Sequence, residues 1–353
     1  MKRNVNALAK GLLGSGLVLL SLIAGAQPTK PGAPGEPYPN SPEIAPIGVR
    51  IGKYMEVSES AKGPAIDPAK GYRLEKLGPG LYLVTDNAYQ SMFLEYETGV
   101  VVIDAPPPYA QHILKAIGEV TQKPITHVVY THDHIDHIGG TKSLSLATSA
   151  TIIAHEETKR LLARANDPNR PVPTVTFKDK YTLKAGSQTL ELSYHGIAHE
   201  PGNIFVYAPA QKTLMVVDVI FPGWMPWRRF ALAKDIPGYF AQVAEINGMK
   251  WDKLVSGHVE RIGTHADVAT QLEFMNDLKA AARQALQSTK PGEGLTPDDK
   301  ANPWAVFDNY IDRVVIQCMN TLAPKWSKRL AGYDVFIWDQ CYAMEQSLRI
   351  DGE

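Results

Sequence analysis

Residues 131–140 read THDHIDHIGG. Three imidazoles and two carboxylates follow the apolar run ITHVVY (125–130) and stop at paired glycines. That many polar groups at the end of a β-strand cost free energy unless partners satisfy them. A metal ion satisfies several at once. On a strand ending near Thr131 side chains alternate, so His132 and His134 leave one face. Asp136 and His137 then project from the turn, and Gly139-Gly140 bend the backbone into the next helix. One loop therefore offers two ligand sets, His132 with His134 and Asp136 with His137.

Two pairs do not complete two sites. Further donors stand at strand ends: His199 in GIAHEPGN before the strand NIFVYAP, Asp218 closing TLMVVD, and His258 closing KLVSGH. This set, HxHxDH at 132–137 followed in order by His199, Asp218 and His258, resembles the metallo-β-lactamase fold superfamily across residues 72–263. The resemblance implies an α/β protein, an αββα sandwich with its metals at one edge of the two sheets. It places His132, His134 and His199 on a first metal, Asp136, His137 and His258 on a second, and Asp218 between them. Two zinc ions per chain suit imidazole plus carboxylate, and iron or manganese fit the same ligand types. The implied chemistry is hydrolysis by a hydroxide held between the metals, with Asp136 keeping it in line. No GxSxG elbow suggests a serine nucleophile instead. β-Lactamases of the family usually carry cysteine or serine where Asp218 stands. An aspartate there resembles the glyoxalase II, lactonase and phosphodiesterase branches. The expectation is a hydrolase for a carboxylic ester, lactone or similar small molecule. β-Lactamase or phosphodiesterase activity, and a mononuclear iron dioxygenase, are the alternatives.

The rest of the chain frames this core. The 353 residues are 44% hydrophobic and 21% charged, with a net charge of −1. That is ordinary globular composition and excludes a nucleic-acid surface built on bulk positive charge. Lys2, Arg3 and Lys10, the uncharged residues 11–26 and Ala24-Gly25-Ala26 read as a cleavable export signal, 1–26. A periplasmic or secreted protein with no membrane anchor after cleavage follows. A Pro-rich linker and N-terminal segment occupy 27–70, the metallo-β-lactamase-like domain 71–263, and a C-terminal helical extension 264–353. In that extension Thr264 and Asp267 form a capping pattern, and Asn302-Pro303 starts a helix that Pro324 follows. The helices are expected to cover the pocket or build a homodimer face. Cys318 and Cys341 leave open a disulfide or two buried thiols.

After Asp218 the chain reads VIFPGWMPWRRFALAKDIPGYF (219–240) and is expected to run beside the metals. Trp224, Trp227 and Phe230 are candidate walls of an apolar pocket. Arg228 and Arg229 are candidates to grip a carboxylate or phosphate, and Tyr89 to reach over the site from a turn. His195 is a further candidate lining residue. Asp104 is a candidate support for a ligand histidine or a strand-end cap.

Overall fold

Side-chain alternation along short, β-branched strands builds two sheets in the computed structural model, which describes residues 54–145 and 150–352. The expected export signal and most of the Pro-rich segment lie outside the described residues. The first sheet holds β1 (Arg73–Gly78), β2 (Leu81–Thr85), β3 (Gln90–Glu95), β4 (Val100–Ile103), β5 (Ile125–Val129), β6 (Thr151–His155) and β7 (Val175–Phe177), side by side in chain order. The second holds β8 (Lys180–Ala185), β9 (Gln188–Tyr194), β10 (Ile204–Ala208), β11 (Thr213–Val216) and β12 (Lys253–Val255), in the spatial order β12-β11-β10-β9-β8.

The period of two separates the faces. Met92, Leu94, Val101, Ile103, Val129 and Ile153 point between the sheets, against Leu190, Leu192, Val206, Met215 and Val255. Their neighbours Phe93, Val100, Val102, Val128 and Ile152 point outward onto Ile113, Ala116 and Ile117 of α1 (Ala110–Val120). Burial on both faces is why β4 is an unbroken apolar run. Short helices α2 (Ile135–Ile138) and α3 (Thr141–Ser145) follow the histidine motif, and α4 (Glu156–Ala165) follows β6. The sandwich is thus layered helix, sheet, sheet, helix.

Beyond Asp218 the chain enters α5 (Arg228–Leu232), whose turn is left-handed: Arg229, Phe230, Ala231 and Leu232 have φ of 52°, 54°, 56° and 60°. None is glycine. Each such residue costs about 1–2 kcal/mol, and runs of them are rare. Then come α6 (Ile236–Gly248), α7 (His265–Ser288), α8 (Pro297–Lys300), α9 (Pro303–Trp326) and α10 (Tyr333–Gln346). The capping box of Thr264 and Asp267 opens α7, and Asn302 caps α9 with Pro303 in its first turn. Pro324 lies inside α9 rather than beyond it. So close to the end a proline removes a single backbone bond, and the buried Trp326 holds the last turn in place. A disulfide joins Cys318 of α9 to Cys341 of α10. No described helix is long and apolar enough to cross a membrane.

Candidate metal centre

β5 stops at Val129, short of Thr131. The buried Asp104 carboxylate accepts hydrogen bonds from the Thr131 backbone N–H at 2.9 Å and hydroxyl at 2.6 Å, which takes Thr131 off the ladder. His132 leaves from the resulting bend, His134 is the residue before α2, and Asp136 and His137 lie within that helix. The two ligand sets therefore arise from a bend plus one helical turn, not from strand alternation. Asp218 follows β11 in a left-handed backbone conformation, φ 63°. His258 follows Gly257 just past β12, and its backbone bridges to Tyr89.

Cross-sheet bonds hold this edge closed. The Ile204 N–H donates to Thr131 O at 2.9 Å. The buried Gln90 amide of β3 donates to Val259 O and Arg261 O and accepts from the Ser256 N–H.

Seven donor side chains converge there. His132, His134, His199 and Asp218 form one group, and Asp136, His137 and His258 a second, each with donor atoms within 4.8 Å of one another. His199 Nε2 is 3.1 Å from His134 Nδ1 and 3.2 Å from Asp218 Oδ2. His137 Nε2 is 3.0 Å from His258 Nε2, which is 3.2 Å from Asp218 Oδ1. Donors about 3.3 Å apart are what a tetrahedral shell with bonds of about 2.0–2.1 Å requires. The His132 Nε2 is buried and finds no hydrogen-bond partner among the described residues. An orphaned lone pair aimed into a cluster of donors fits a metal ligand. Asp218 faces both groups with its two oxygens, so the residues fit a dinuclear centre with a shared carboxylate.

The electrostatics favour ligation at Asp218 and His132. Burial pushes the Asp218 carboxyl up, but His137, His258 and His199 outweigh it and hold it well below the carboxylate range. Burial and the neighbouring imidazoles keep His132 neutral, the form that ligates. At His258 burial works downward, yet Asp218 and Asp136 lift the imidazole to about 9. Burial pushes Asp104 up to about 6. Asp104 reaches His132 only through Thr131, whose hydroxyl lies 3.1 Å from His132 Nδ1.

Glu200 and Lys234 complete the centre, and neither stands out in the sequence. His134 turns Nδ1 toward His199 and Nε2 toward Glu200, 3.1 Å away. Lys234 Nζ lies 3.1 Å from the same Glu200 oxygen. Asp133, His134 and Glu200 also cluster, but the ammonium already neutralises Glu200. Adjacency to His199 is the one signal that marks Glu200.

A cavity of about 870 Å³ opens on both donor groups. Tyr89, Trp224 and Trp227 line it with Phe221, Met225 and Leu232. The Tyr89 ring stands 4.8 Å from that of His258. Arg228 and Arg229 do not line it. Both pair with Asp339 of α10, and Arg229 also lies over the Tyr342 ring. Phe230 is turned away into the core against Tyr239 and Phe240. His195 is held between Glu245 and Ser193 and stacks on Phe205, away from the cavity.

The chain is 26% identical over 214 residues to 2,4-dinitroanisole O-demethylase subunit alpha of Nocardioides sp. (strain JS1661), covering 59% of this chain and 63% of that protein. It is 29% identical over 168 residues to a metallo-beta-lactamase type 2 of Elizabethkingia meningoseptica, covering 43% of this chain and 63% of that one. It thus spans less than two thirds of either relative. Among solved structures, a metallo-beta-lactamase from Pontibacter korlensis shares the fold with a TM-score of 0.50 at 21% identity, over 57% of this chain and 97% of its own. The family model of the metallo-beta-lactamase superfamily matches residues 84–283, a span that holds every strand from β3 to β12 and all seven donors of the centre, and the chain belongs to that superfamily.

Proposed function

We propose that this protein hydrolyses a neutral, largely apolar carboxylic ester or lactone at a dinuclear metal centre. One observation carries the choice of substrate. The cavity beside the donors is walled by aromatic and aliphatic side chains, and no lysine or arginine is among the described residues lining it. A β-lactam carries a carboxylate and a phosphodiester a phosphate, and each asks for a cationic partner. A neutral acyl compound does not. The O-demethylase relative, named for an aromatic ether, is in keeping with an aromatic substrate.

Bound metal ions supply Lewis acidity and lower the pKa of a water nucleophile. His132, His134 and His199 would hold one ion, Asp136, His137 and His258 the other, and Asp218 both. Asp136 lines the cavity with its side chain 39% exposed, which supports it as the group that orients the attacking water. Burial, with Asp136 next, raises the Tyr89 hydroxyl above its ordinary value. Tyr89 thus keeps its proton at neutral pH and can donate it in a hydrogen bond to the oxygen that gains charge. The aromatic walls exclude water and align the acyl group.

The test is a substrate panel on metal-stripped and metal-restored protein: a neutral aryl ester, an acyl lactone, a cephalosporin and a phosphodiester. Metal-dependent turnover of the ester or lactone, lost in His134→Ala, is the expected result. Faster turnover of the cephalosporin or phosphodiester overturns the proposal.

A further inference from the structure

The left-handed turn of α5 has no local reason to exist. Its sequence, RRFAL, holds no glycine, and its own bonds are few: Ala231 N–H to Trp227 O, and Ala233 N–H to Arg229 O and Phe230 O. The support comes from the C-terminal extension. Gln340 of α10 is fully buried and uses both ends of its amide on this segment. Its oxygen accepts the Phe230 N–H at 3.1 Å, and its nitrogen donates to Pro226 O at 2.6 Å and Trp227 O at 2.9 Å. Asp339, one residue earlier, binds Arg228 and Arg229. Upstream, Ala331 pairs its backbone with Gly223 and Met225. The disulfide at Cys341 ties the helix to α9 right beside Gln340.

The same segment meets the site at both ends. Trp227, Ala231 and Leu232 face the cavity, together with Phe336 of α10 itself. Just beyond the turn, the Lys234 N–H donates to Ala198 O and His199 O, and the Asp235 N–H to Ala198 O.

We propose that α10 is the element that sets substrate size, with Gln340 as its positioning residue. By holding residues 226–232 in the left-handed turn, Gln340 fixes how far Trp227, Ala231 and Leu232 stand from the donors, and so how large an acyl group fits. This rests on the cavity being the substrate site, as proposed above.

The test uses full-length, metal-loaded protein carrying Gln340→Met, which keeps the side chain's length and removes its hydrogen bonds. Over a series of neutral aryl esters of growing acyl length, KM for the longest should rise roughly tenfold, with kcat on the acetate within about twofold. KM values that stay put, or shift by one common factor, overturn the proposal. If Gln340→Met does not fold, the double variant with Ala231→Gly replaces it, because glycine enters the left-handed region at little cost. Recovered folding then shows that Gln340 serves the turn, and a double variant as unfolded as the single one shows that it does not. If the native protein hydrolyses no ester, the function fails, and the size device is read instead from tryptophan quenching by 2-acetylnaphthalene. Weaker binding to Gln340→Met supports it, and equal binding overturns it.

Discussion

At His134 both ring nitrogens are committed, one toward His199, the other to Glu200. Burial raises the Glu200 carboxyl, but His134 and Lys234 outweigh it and keep it ionised. A carboxylate behind a ligand histidine fixes its tautomer and strengthens it as a donor. Glu200→Ala should weaken metal binding roughly 10–100-fold, read by competition with a chromogenic chelator, while the fold persists. Unchanged affinity would make Glu200 a simple partner of Lys234. The seven donors were legible as a set because six come soon after short apolar strands and His199 stands before one, and ligand chemistry restricts the residue types. Glu200 was not, because a lone glutamate in a loop looks like any solvated charge. Arg228 and Arg229 were misread for a similar reason. Their partner Asp339 lies 111 residues beyond Arg228, and nothing local announces it.

Among elements, the strands with continuous apolar runs were readable, and so were the capped helices. β1, with the sequence RLEKLG, hides a strand behind charges because it lies at the sheet edge with one face toward solvent. The left-handed turn could not be read, since its stability comes from tertiary bonds against local preference. The loop after β12 is built more conventionally. Gly257 has φ 84°, and a Cβ there would lie 2.5 Å from Val217 Cγ1. Gly257→Ala should therefore cost about 2–3 kcal/mol of stability by chemical denaturation and displace the neighbouring His258, lowering metal content. Between helices, Arg329 and Lys325 near the end of α9 bind Glu273 of α7 and hold its carboxyl at about 2, below its ordinary 4.5. A depressed carboxylate contributes stability above its unfolded pKa and loses it as pH falls toward the folded one. The melting temperature of Glu273→Gln should thus fall below that of the native protein at pH 7, and the gap should close between pH 4.5 and 2. Salt should shrink it as well, because the pair is exposed.

At the scale of the whole molecule, the extension and the sandwich share one mechanical path. The disulfide closes a separation of 23 residues between α9 and α10. Replacing both cysteines by alanine should cost about 3 kcal/mol, measured by denaturant unfolding, by freeing the unfolded chain. The donors, too, come from separate layers. His132, His134, Asp136 and His137 follow β5 of the first sheet, whereas His199, Asp218 and His258 follow strands of the second. An ion held there is a rivet through both leaves of the sandwich. Removing it should let the leaves part at that edge, so the temperature of unfolding becomes a gauge of occupancy, rising with the logarithm of free metal above its dissociation constant.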